Sequence, residues 1–234
     1  MKSRRLKTHP VYTTRSGRTG SAGRPFYVRF IVGAVVLAAV VAAAGLFGQW
    51  ALREGWFEGI DAYRIEADPD RPWTSFVAAV TWFGDTTGVV LATLVFTVVL
   101  LLTKNYRGTG ALLASVLSAA FVNDFIKDWV ARERPLHTGI VEAGGYSYLS
   151  GHAFVGVATY GLFFYLLVRR TENLWLRVLF GAAGIAYLAL AGYSRIYLGV
   201  HYVSDVIGGY ILGIIWAITW ISVFRPAGAR RDRR

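Results

Sequence analysis

Three short polar clusters interrupt an otherwise apolar chain: Lys127-x6-Arg134-Pro135, Ser150-Gly151-His152 and Ser194-Arg195-x5-His201-x3-Asp205. Together they supply three fixed cations, two imidazoles and one carboxylate. That set suits one kind of chemistry: cations hold a phosphate, one imidazole attacks phosphorus, and the other protonates the departing oxygen. Ionisable groups within lipid-soluble segments are costly, so such residues are functional candidates by default.

Spacing sharpens the reading. His201 and Asp205 stand at i,i+4, which places them on one face at the start of a helix. Asp205 can then accept a hydrogen bond from Nδ1–H and leave the other nitrogen as a nucleophile. Arg195 would neutralise the phosphate under attack. Lys127 and Arg134 are seven residues apart, two turns on one face if a helix runs that far, with Pro135 marking its end. Ser150 suits a helix N-cap, Gly151 lets a ligand approach the backbone, and free amides at a helix start favour an anion. Each cluster also has a plain structural explanation: snorkelling cations, a simple cap, a His–Asp pair that only stabilises the fold. Three such clusters in one chain are far more specific than any one alone.

The elements that must position these groups are membrane spans. The chain has 234 residues, 55% of them hydrophobic, with no cysteine and a net charge of +11. Its mean hydropathy is +0.44. Without cysteine there is no disulfide, thiolate metal site or cysteine nucleophile. Six apolar runs, at about 28–52, 84–103, 109–130, 151–168, 177–193 and 202–224, each approach the ~20 residues that cross a bilayer, and must be helical there. The expected fold is an all-α integral membrane bundle of six helices. Residues 1–27 form a basic disordered tail, 28–224 the membrane domain, and 225–234 a second basic tail. The segment 53–75, with six acids and with Trp56, Phe57 and Trp73 among its aromatic residues, reads either as a short interfacial stretch or as a solvated loop. Gly181-x2-Gly184 and Gly209-x3-Gly213 permit close packing of helices inside the bundle.

With six spans both ends lie on one side, and that side holds 18 of the 25 Lys and Arg residues. The positive-inside rule makes it cytoplasmic and puts all three clusters outside. Basic charge concentrated at the termini points to anionic lipid rather than nucleic acid. The first span, with Ala42-Ala43-Ala44, loosely fits a cleaved signal peptide, but its basic lead and its apolar run are too long.

The three clusters resemble the signature of the type 2 phosphatidic acid phosphatase superfamily: Lys-x6-Arg-Pro, Pro-Ser-Gly-His and Ser-Arg-x5-His-x3-Asp. The first and third match in full, and Leu149 stands where the second has proline. The stretches Phe83-Gly84-Asp85-Thr86 and Gly145-Tyr146-Ser147-Tyr148 are similar to those of bacterial members. The resemblance covers about residues 76–224 and implies a metal-free, cofactor-free mechanism. In it, His201 forms a phosphohistidine, Asp205 orients it and His152 protonates the leaving alkoxide. Lys127, Arg134, Ser150, Gly151 and Arg195 hold the phosphate. It implies a lipid substrate: phosphatidylglycerophosphate, phosphatidate or undecaprenyl diphosphate, with a lipid A phosphatase or phosphotransferase as a close variant. A transporter would place its charges at mid-membrane rather than at one face, and the vanadium haloperoxidases of the superfamily are soluble.

Overall fold

The computed structural model describes residues 24–63, 65, 67–135, 140, 141 and 143–226. Most of the two expected basic tails therefore lies outside the described residues, as do Arg64, Glu66 and Glu142.

Among the described residues every regular element is helical. The first long helix, α1, runs Phe26–Arg53, followed by the single turn α2 at Glu58–Asp61. Next come α3 (Pro72–Thr81), a 3₁₀ turn (Trp82–Gly84) and α4 (Thr86–Leu102). The long helices α5 (Tyr106–Val130), α6 (Gly151–Arg170), α7 (Leu174–Tyr197) and α8 (Val203–Phe224) complete the chain. Five of these helices are long and apolar enough to cross a membrane. The candidate for a sixth crossing is α4, whose 17 residues fall at the short end of a spanning helix. It meets α3 and its 3₁₀ turn at a 60° bend. Leu102, Leu117, Phe121, Trp175 and Ile185 all point outward, exposed by 70–81%. Helices that are apolar toward solvent as well as toward the core belong in lipid, and the protein is a multi-pass membrane protein.

Local chemistry sets the helix ends. The Asn105 side chain accepts from Gly108 N–H at the start of α5, and Asn173 accepts from Trp175 and Leu176 N–H at the start of α7. At the far end of α5, Ala131 takes a left-handed conformation with φ 53°. The helix therefore stops at Val130, four residues earlier than a Pro135 boundary allows. Lys127 and Arg134 do not share a helical face; Lys127 lies on the helix and Arg134 on the irregular segment after it.

Helix α8 is the hub, packed by α1, α5 and α6. Trp216 is almost wholly buried there, donating Nε1–H to the Ser115 carbonyl (3.2 Å) and meeting Phe154 edge-on at 5.4 Å. The small residues are spent on these internal contacts. A Cβ at Gly209 would come within 2.8 Å of the Ser150 carbonyl oxygen and 2.9 Å of Ala153 Cβ, and one at Gly184 within 2.9 Å of Phe164 Cβ. The α6–α8 approach brings the second and third polar clusters together, because Ser150 N–H donates to the Asp205 carbonyl (3.1 Å).

Gly209→Ala tests this seam. The new methyl meets backbone that cannot swing away, and overpacking of this kind costs about 1–3 kcal/mol. The apparent Tm in detergent should fall by roughly 2–10 °C. An unchanged Tm would show that α6 and α8 are less tightly seated.

Candidate active site

Helices α5 and α7 end, and α6 and α8 begin, around a cavity of about 470 Å³. Six of the eight expected residues line it: Lys127, Arg134, Gly151, His152, Arg195 and His201. The other two, Ser150 and Asp205, have no exposed surface and sit beside their lining neighbours Gly151 and His201. Residues far apart in sequence thus converge because alternate helices run in opposite directions.

His201 precedes α8 rather than standing in it, and is 4% exposed. Its Nδ1 lies 3.5 Å from Asp205 Oδ2. Its Nε2 lies 3.2 Å from Arg134 NH1. A guanidinium only donates, so Nε2 is the unprotonated nitrogen and the proton sits on Nδ1, toward the carboxylate. Burial pushes the imidazole down to about 3, and the neighbouring Arg195 and Arg134 act in the same direction against Asp205. His201 is therefore neutral at physiological pH, with its Nε2 lone pair turned to Arg134. Asp205 is the third residue of α8, and its Oδ2 also accepts the Tyr202 N–H (2.9 Å), closing a capping box.

Arg134 is gripped along its length. It donates to the carbonyls of Gly144 (2.8 Å), Gly145 (3.0 Å) and Val200 (2.7 Å). Gly145 holds a φ of +67°, a conformation suited to glycine. Residues 144 and 145 thus hold the guanidinium, and Ser147 N–H ties the following stretch back to the Arg132 carbonyl (2.8 Å). Burial holds the Arg134 guanidinium below its ordinary value. Leu149 is fully buried and abuts Gly208.

On the opposite wall, His152 Nε2 donates to the Thr81 carbonyl (2.9 Å) and lies 3.3 Å from Asp85 Oδ1. Arg195 NH1 donates to Thr81 Oγ1 (2.7 Å), and the same hydroxyl is 3.2 Å from His152 Nε2. Arg195 Nε and Ser150 Oγ are buried without a protein partner, so both retain hydrogen-bonding capacity beside the cavity. Although Ser150 occupies the N-cap of α6, its side chain makes no capping bond.

Thr81 and Asp85 are the residues that sequence reasoning missed. Thr81 closes an amphipathic helix and carries no motif of its own. Asp85 lay within a recognised stretch without an assigned role. Gly84 offered a signal: a Cβ there would come within 2.2 Å of the His152 ring, so the Gly-Asp pair marks where α3 and α4 bend around the imidazole.

Comparison with known proteins places this geometry. Residues 108–228, more than half of the chain, match the model of the PAP2 superfamily. Phosphatidylglycerophosphatase B of Bacillus subtilis is 35% identical over 96 residues, 40% of this chain and 47% of that protein. An undecaprenyl-diphosphatase of Sulfolobus acidocaldarius is 37% identical over 133 residues, 54% and 58% of the two chains. A lipid A 4'-phosphatase of Porphyromonas gingivalis is 32% identical over 119 residues, 45% and 46%. The chain spans about half the length of these curated relatives. The fold is similar to the crystal structure of a transmembrane PAP2-type phosphatidylglycerolphosphate phosphatase from Bacillus subtilis, with a TM-score of 0.59 at 21% identity, covering 83% of this chain and 93% of that one.

Because Thr81 Oγ1 bridges Arg195 and His152, Thr81→Val should disturb both while keeping shape. Loss of an acceptor for a charged donor costs about 1.5–3 kcal/mol, so kcat/KM for phosphate release should drop ~10–100-fold in protein that remains folded. Wild-type kcat/KM in this variant would remove Thr81 from the site.

Proposed function

The chain belongs to the PAP2 superfamily, and on that premise we propose that it is an integral-membrane lipid phosphatase working through a phosphohistidine on His201. The observation that carries this reading is the two-sided lining of the cavity. One end presents Lys127, Arg134, Arg195 and the two histidines; the other runs along Val89, Val90, Val116 and Leu117 of α4 and α5. Val90 and Leu117 are 51% and 70% exposed on the outer surface of the bundle. A phosphate headgroup can seat among the cations while its acyl or prenyl chain stays in the bilayer along that apolar wall. Orientation is then gained at small cost in translational freedom.

The chemistry follows from the protonation state. His201 Nε2 attacks phosphorus in line, forming the N–P bond as the bond to the lipid oxygen breaks. Arg134, which contacts Nε2, is placed to turn its guanidinium to an equatorial oxygen as Nε2 engages. Arg195, Lys127, the Ser150 hydroxyl and the Gly151 amide at the start of α6 take the remaining negative charge. Asp205 stabilises the imidazolium that forms. His152 gives a proton to the leaving oxygen, then accepts one from the water that cleaves the N–P bond and releases phosphate. The relatives act on a phosphatidylglycerol phosphate, a prenyl diphosphate and a lipid A phosphate by their names. The shared element is a lipid-borne terminal phosphate, and an alcohol acceptor in place of water would make the same intermediate a phosphotransferase. The charge asymmetry supports placement in the cell membrane with both termini cytoplasmic and the cavity outside.

Acid-quench labelling with a radiolabelled lipid phosphate tests the intermediate. Wild-type protein should retain label, and His201→Ala should lose both label and turnover. Label surviving in His201→Ala would move the nucleophile elsewhere.

Topology is open to a separate check, since the chain has no cysteine. In intact cells a membrane-impermeant thiol reagent should reach Glu66→Cys and miss Arg230→Cys. The reverse pattern would turn the protein over and place the cavity in the cytoplasm.

A further inference from the structure

Asp205 belongs to a buried charge group whose other members, on the side away from His201, are no named residue of the three motifs. Arg132 NH1 donates to Asp205 Oδ1 (2.6 Å) and to Ser204 Oγ (2.7 Å), while NH2 donates to Asp61 Oδ2 (2.5 Å). Asp61 closes α2 and is 6% exposed; its Oδ1 accepts the Ser204 N–H (3.0 Å) and its Oδ2 the Ser204 hydroxyl (2.7 Å). The Arg132 guanidinium also lies over the Tyr202 ring, 3.8 Å from its centroid. The group thus joins the turn after α1, the segment after α5 and the first turn of α8, with Asp205 its only member facing the imidazole.

We propose that Arg132 and Asp61 are positioning residues for the reaction: they fix the Asp205 carboxylate and set the net charge behind His201. The proposal rests on the lipid phosphatase reading. Its logic is a count of charges in a largely buried place, where water screens them weakly. Asp205 and Arg132 alone form a neutral pair, which would do little for an imidazolium. Adding Asp61 returns the group to one net negative charge, matching the one positive charge that develops when His201 takes the phosphoryl group. Arg132 is equally required, because without it two carboxylates would share the site and repel each other. Its two amino groups engage both acids, so the Asp205 oxygen nearer the imidazole is left to the Tyr202 N–H and His201. Segment 58–61 then belongs to the reaction machinery rather than to an interfacial loop.

The counts give an ordering that simple structural support does not. Asp61→Asn is nearly isosteric and leaves the group neutral. Arg132→Gln leaves it with two negative charges. The double variant Asp61→Asn/Arg132→Gln restores a single one. In folded protein, Asp61→Asn should lower kcat about tenfold, the loss of one charge-assisted interaction, while KM stays within roughly twofold because neither residue touches substrate. Arg132→Gln should be slower still, and the double variant faster than Arg132→Gln alone. A wild-type kcat in Asp61→Asn, or a double variant slower than both single ones, overturns the proposal. If Arg132→Gln does not fold, the Asp61→Asn split between kcat and KM decides.

A second readout does not depend on turnover. The titration of His201 can be followed by NMR of histidine-labelled protein in detergent, with His201→Gln to assign the signal. The charged groups facing His201 are Asp205 from α8, Arg134 from the segment after α5 and Arg195 from α7. Arg132→Gln should raise the His201 midpoint, and the double variant should bring it back toward wild type. An unmoved midpoint contradicts the proposal even if the protein hydrolyses lipid phosphates. A wild-type protein that releases no phosphate while showing the shifts would count against the phosphatase reading alone.

Discussion

A carboxylate with no contact with water must find its hydrogen-bond donors inside the protein, and Asp205 finds two, with the His201 imidazole 3.5 Å away. The Tyr202 N–H caps α8 through it, Arg132 reaches it from the segment after α5, and His201 Nδ1–H faces it from the cavity. The start of the hub helix, the joint between three separate parts of the chain and the orientation of the imidazole therefore depend on one side chain. Removing the carboxylate would take one partner from Arg132 and the cap from α8 together.

Charge placement around that carboxylate divides the site into two halves with opposite character. Behind His201 the charges are paired and largely buried. In front, Arg195, Arg134 and Lys127 face a cavity with Asp85 and Asp124, and polar atoms such as Arg195 Nε and Ser150 Oγ are buried without protein partners. Cations gathered at a place of low dielectric repel one another and favour an anion between them. Burial keeps the imidazole neutral, so the same desolvation that makes the site selective for an anion preserves its nucleophile.

Much of this was legible in the residues. Apolar run length gave the all-helical bundle with five spanning helices and a bent pair as the sixth candidate, because backbone in lipid has few alternatives to helix. The His201–Asp205 spacing gave their proximity, since i,i+4 survives even though His201 stands just outside α8. What was not legible depended on tertiary approach. The end of α5 at Ala131 reflects a left-handed residue that has no glycine to announce it. Arg134 nevertheless arrives at the same cavity as Lys127, because the 144–145 carbonyls hold it there. Thr81 and Asp61 have no local signature; each becomes a partner only when chain more than 70 residues away folds against it. The small residues Gly209 and Gly184 were readable as packing positions, and their neighbours prove to be helices of the same chain.

The central claim, that phosphoryl transfer passes through a covalent bond to an imidazole, has a stereochemical consequence. Two successive in-line displacements invert phosphorus twice. A lipid thiophosphate made chiral with oxygen isotopes, hydrolysed in isotopically labelled water, should yield inorganic thiophosphate with net retention. Net inversion would mean that water attacks the lipid phosphate directly, and that His201 is not the nucleophile.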